Sequence, residues 1–117
     1  MRIGCLVASI MLAASQNAAG SEITIFGVGN SSCGTWVDAH KAAPGPIAST
    51  QDSWVFGYVA AFSTLTHGMG APDASDVADG GGMIHWMSNY CALHPLDTIY
   101  KAADALTAEL IDRVTRH

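Results

Sequence analysis

Two cysteines, Cys33 and Cys91, stand in a chain that begins like an exported protein, and this pairing constrains the fold more than any other feature. Met1 and Arg2 precede an apolar run from Ile3 to Ala14, and small residues follow, ending at Ala18, Ala19 and Gly20. The run is too short to cross a bilayer as a helix, which needs about 20 residues. With its basic start and small-residue cleavage site it predicts a signal peptide over residues 1–20, cut before Ser21. Cys5 leaves with that segment. Two cysteines then remain in a periplasmic or secreted protein, and no Cys-x-x-Cys spacing is present, so a disulfide is favoured over a metal site or a nucleophile. Closing a loop of roughly 58 residues is worth about 4 kcal/mol in the chain-entropy account. That help matters, because a domain of this size buries only about two thirds of its unfolded surface.

After the predicted cut, Lys41, Lys101, Arg113 and Arg116 face ten carboxylates. An acidic chain without a basic patch cannot release counterions from phosphate, which argues against nucleic acid and anionic membrane surfaces as partners. No second apolar run is long enough to span a membrane once the signal is removed.

The rest reads as all-α: a compact bundle of four short helices with one disulfide. Residues 21–31 are expected to be an extended arm, since Ile23, Ile25 and Phe26 have no partner strand, and residues 32–117 the helical domain. Ser31 and Ser32 can cap a first helix from Cys33 to Lys41, ended by Pro44-Gly45-Pro46. From Thr50 the apolar stripe Trp54, Tyr58, Phe62 and Leu65, broadened by Val55, Val59 and Ala61, predicts the strongest helix. Gly57 within it predicts close approach of another helix. His67 to Gly82 reads as a linker, rich in glycine. A third helix carries Met83, Ile84, Met87, Tyr90 and Cys91 and stops at His94-Pro95. Pro95 is expected to open the fourth, with Leu96, Ile99, Ala103, Leu106, Leu110 and Val114 on one face, Asp97 near its start and Arg113 and Arg116 near its end.

Several residues carry candidate chemistry. Met83, His85 and Met87 are soft ligands of the kind exported copper proteins use, joined by His67 and Met69 if the linker folds back, but helical spacing turns His85 away from the two methionines. Packing is the favoured reading, and no metal or cofactor is expected. Asp79-Gly80-Gly81-Gly82 could present amides to an anion, but without a nearby cation it reads as an aspartate cap. Gly27-Val28-Gly29 lacks the strand and helix units of a dinucleotide site. Asp38 with His40, or His94 with Asp97, could serve as acid and base, yet such scattered pairs are usually solvated surface, no Gly-x-Ser-x-Gly elbow occurs, and no catalytic residue is assigned. Trp36, Trp54 and Trp86 read first as core and second as an aromatic interaction surface for a dimer or a client.

Cys33 opening an early helix, the Trp54 to Ala61 stretch with its tryptophan and small residues, and Tyr90-Cys91 followed by Pro95 resemble the small periplasmic helical proteins of the HdeA-like family over most of the chain beyond the signal. The resemblance implies an acid-stress chaperone, stored as a folded homodimer and loosened at low pH, with Cys33 and Cys91 as its disulfide. Protonating ten carboxylates and up to five histidines would make the chain strongly positive and self-repelling, as that role requires. The plan is also similar to the Rap1a-like immunity proteins of type VI secretion. Both resemblances imply a protein partner or client proteins and no catalysis; a periplasmic metal carrier or an enzyme is the third and weakest reading.

Overall fold

Helix starts in this chain are fixed by short polar side chains and one proline. The computed structural model describes residues 22–41 and 45–116, so the predicted signal peptide, Cys5 and Pro44 lie outside the described residues. Helix α1, Cys33–Lys41, begins where Ser32 Oγ accepts from the Thr35 amide at 3.3 Å. Helix α2, Pro46–Gly68, has proline in its first turn, where the missing N–H costs nothing. Asp79 accepts from the Gly82 amide at 2.7 Å to open α3, Gly80–Leu93. Thr98 accepts from the Lys101 amide at 3.1 Å to open α4, Ile99–Thr115. Short 3-10 turns at Gly27–Asn30 and Ala74–Val77 fill two of the connections.

These four helices form a compact bundle closed by the Cys33–Cys91 disulfide, whose Cα atoms stand 4.7 Å apart across a sequence separation of 58. The bond does not act alone. The Cys33 amide donates to Asp97 O at 2.7 Å, Gly34 to Pro95 O at 3.0 Å, and Ile99 to Ser31 O at 2.9 Å. The start of α1 is thereby stitched to the turn between α3 and α4. Trp36, Val55, Val59, Met87, Ile99, Leu106 and Leu110 fill the core around it. No helix among the described residues is long and apolar enough to cross a membrane.

Six expectations change. The second helix starts at Pro46 rather than Thr50, because the proline that ends one helix is preorganised to begin the next. Its buried stripe is Ala48, Gln51, Val55, Val59 and Ser63; Trp54, Tyr58 and Phe62 are half-buried shoulders and Leu65 is exposed. Small inward side chains let α2 sit close to the bundle while its aromatic flanks cover the seam. Gly57 is exposed and has nothing near its missing side chain, so the close approach predicted there does not occur. The linker is shorter than read: α2 runs to Gly68, and the three glycines form the first turn of α3, where Asp79 supplies the cap that glycine helix propensity lacks. Pro95 lies in a turn, Leu96 is almost fully exposed, and α4 begins at Ile99, since the Thr98 side chain is the better cap. The expected arm is extended only to Phe26. Gly27, at a φ of +72°, turns it into the 3-10 turn that lies on Trp54.

Replacing Cys91→Ser is expected to lower unfolding free energy by about 2 to 5 kcal/mol in urea titrations under oxidising conditions. A loss below about 1 kcal/mol would mean that the backbone stitching alone holds α1.

Candidate functional site

The three tryptophans occupy three different environments. Trp36 is fully buried and its Nε1 donates to Ser88 Oγ at 3.0 Å, so it belongs to the core and is removed from the predicted interaction surface. Trp54 is half-buried beneath the Gly27–Asn30 turn: its Nε1 donates to Phe26 O at 3.0 Å, and a Cβ on Gly29 would run into the indole ring. Its other side stacks on Tyr58 at 5.5 Å. Trp86 is half-buried on α3, where Trp86, Tyr90 and His94 stack in sequence at 5.5 and 4.2 Å. That helical spacing of four is legible in the sequence; the cover over Trp54 is not.

Neither of the two candidate acid and base pairs, Asp38 with His40 and His94 with Asp97, is joined side chain to side chain among the described residues. Asp38 is exposed and faces Lys41 at 3.7 Å. His40 turns inward instead: Nε2 lies 2.7 Å from Asp52 Oδ1, Nδ1 lies 2.8 Å from Trp36 O, and the ring stacks on Trp36 at 4.1 Å. Both ring nitrogens thus face acceptors, a set satisfied when both donate. Asp52, which sequence reading passed over, ties α1 to α2 through this contact. His94 and Asp97 each turn to Tyr90, the first with Nδ1 at 2.9 Å from its carbonyl, the second accepting its hydroxyl at 2.7 Å. Donation to Asp97 raises the Tyr90 phenol above its usual range, with partial desolvation adding to it. Tyr58 is raised as well, chiefly by burial and then by the Asp104 carboxylate that accepts its hydroxyl at 3.2 Å.

Met83 and Met87 are buried in the core and His85 is exposed, so the three do not converge. Among the described residues no group of three or more His, Cys, Asp or Glu could hold a metal ion. Asp79 itself occupies the amide end of α3 that an anion would need.

A groove that the sequence did not disclose runs where the N-terminal segment crosses α1 and α2. Val28, Ala39 and Ile47 give it apolar walls, while Ser31, Thr35, Asp38 and Gln51 supply the polar lining, around a cavity of about 490 Å³. A second hollow of about 210 Å³ shares Val28 and Ile47 and extends it past Pro46 and Thr50. Gln51 is buried, and its Oε1 has no hydrogen-bond partner among the described residues. Ile47, on the groove wall, is 68 % exposed, and Ile23 and Phe26 on the N-terminal segment are 73 and 80 % exposed. The signal that could have found it was Gln51 sharing a spacing of four with Val55 and Val59, which places an amide on the inward face.

Comparison with known protein families, curated proteins and solved structures finds no match for this chain.

Two substitutions test the geometry. Gly29→Ala should cost about 1 to 3 kcal/mol and red-shift the Trp54 emission, because the indole must leave its cover. Asp52→Asn should cost about 1 kcal/mol in urea unfolding at neutral pH, the worth of a hydrogen bond to a charged group in a half-open setting. A difference indistinguishable from zero would mean that this contact does not tie α1 to α2.

Proposed function

We propose that this chain is an exported, non-catalytic protein-binding domain that receives apolar segments of other polypeptides at the groove between its N-terminal segment, α1 and α2. The observation that carries the reading is the groove walled by Val28, Ala39 and an exposed Ile47, entered by an N-terminal segment whose Ile23 and Phe26 are themselves exposed. Apolar surface of this kind, rimmed by polar groups, is characteristic of protein contact. Export is supported by the disulfide and by the signal-like start. Within this class an acid-stress chaperone is the favoured role. At pH 2 the carboxylates of this acidic chain as a class lose their charge. The net charge turns positive at the same time, and the disulfide limits how far the chain opens.

A second reading, an immunity protein that blocks one secreted effector, is favoured by the polar side of the groove. Asp38 is exposed there beside Thr35, and a charged group fixed at one place discriminates by position, which a single cognate partner can use and a broad range of clients cannot.

Light scattering from an unrelated acid-labile protein, with and without this protein at pH 2 and pH 7, separates the two. Protection at pH 2 alone is the expected result, and Phe26→Asp with Ile47→Asp should remove most of it while leaving the thermal midpoint at pH 7 within a few degrees. Absence of protection at both pH values would overturn the chaperone role.

A further inference from the structure

Between α3, α4 and the turn at Ala74–Val77 lies a pocket of about 310 Å³ that shares no residue with the groove. Its floor is apolar, made by Met83 of α3 and by Leu106 and Leu110 of α4, all buried. Half-buried Trp86 forms one wall. One face of its indole stacks on Tyr90, one helical turn further on, with ring centres 5.5 Å apart and planes 17° from parallel. Tyr90 does not line the pocket, and the other α3 residues that do, Gly82 and Met83, stand one turn before Trp86. The indole therefore turns its unstacked side to the pocket. At the rim, Arg113 Nε donates to Glu109 Oε1 at 2.8 Å, and among the described residues the guanidinium makes no other hydrogen bond. That contact fixes the planar group, and the Arg113 side chain is 54 % exposed, so its Nη donors are reachable by a ligand.

Charge and volume narrow the ligand. Two carboxylates, Asp79 and Glu109, line the pocket against one guanidinium, so an anion loses by repulsion what it gains from Arg113. A cation meets Arg113 at the same rim, and both carboxylates already accept hydrogen bonds, Asp79 from the Gly82 amide at 2.7 Å and Glu109 from Arg113. A neutral molecule meets neither repulsion. The volume is at the lower end for small-molecule sites, and a flat ring is the shape that covers an indole face and an aliphatic floor together. We propose that this pocket binds a neutral planar aromatic group bearing a carbonyl. The ring packs on Trp86 above Leu106 and Leu110, and the carbonyl oxygen accepts from an Nη of Arg113. The site is independent of the protein-binding groove.

The test is an NMR titration of the disulfide-bonded protein with benzamide, following the side-chain N–H signals of its three tryptophans. The Trp86 signal should move saturably, while those of Trp36, bonded to Ser88, and Trp54, bonded to Phe26, stay in place. Benzoate, benzylammonium and toluene, which add a negative charge, add a positive charge or lack the carbonyl, should each bind several-fold more weakly. Arg113→Gln should bring benzamide down to the affinity of toluene, in line with the loss of a hydrogen bond to a charged donor. Its side chain is exposed, so the thermal midpoint should stay within a few degrees and the loss cannot be ascribed to misfolding. Trp86→Leu should weaken benzamide binding by about tenfold or more. A Trp86 signal that does not move, an equal response at Trp54, benzoate or benzylammonium binding as tightly as benzamide, or unchanged affinity in Arg113→Gln would overturn the proposal. N-acetylphenylalanine amide assigns the source: tighter binding than benzamide supports an aromatic side chain of a partner protein, and equal or weaker binding supports a free small molecule.

Discussion

The bond between Cys33 and Cys91 is the constraint on which the rest of this structure depends. It joins the first residue of α1 to the last turns of α3, and the backbone pairs from Cys33, Gly34 and Ile99 lock the α3–α4 turn to the same point. Three of the four helices therefore meet at one junction near the middle of the core. A short α1 of nine residues would be marginal by itself, since isolated helices under about 12 residues rarely hold in water. Anchored at its first residue, it can deliver Trp36 into the interior and His40 to Asp52.

Around that junction α2 does two unlike tasks. Its middle presents small and β-branched side chains inward, which allow close packing, and its aromatic shoulders shield the seam with Tyr58 edge-on to Tyr100 at 5.7 Å. Its two ends carry polar side chains on the same inward face, Gln51 and Ser63. A helix that keeps its apolar contacts central and its polar groups terminal leaves a hollow toward each end, one lined by Gln51 and one by Ser63.

Much of the helical plan was legible because it rests on local chemistry. Ser32 and Asp79 cap as serine and aspartate should, and Met83, Met87 and Cys91 recur at four. What misled was size. Large aromatic residues dominate a hydrophobic pattern, so Trp54, Tyr58 and Phe62 read as the buried stripe, whereas Val55, Val59 and Ser63, one residue on, face the core. A one-residue step rotates a helical face by about 100°, and amphipathic periodicity does not resolve that when both neighbouring rows are apolar. Glycines misled in the same manner. Gly57 is idle, while Gly29 and Gly80 are the ones whose missing side chains admit Trp54 and Phe56.

The sequence by itself determined the class of molecule: an acidic chain with paired cysteines and four segments of helical period, because charge, cysteine count and period depend only on residue order. Tertiary structure decided everything that depends on which residues meet. His40 pairs with Asp52 and not Asp38, Trp36 is core while Trp54 lies under the N-terminal turn, and Ser63 comes to face Asp73 across a pocket. These partners are ten or more residues apart in the chain. Their meeting is set by how the disulfide and close packing orient whole helices, which no local pattern encodes.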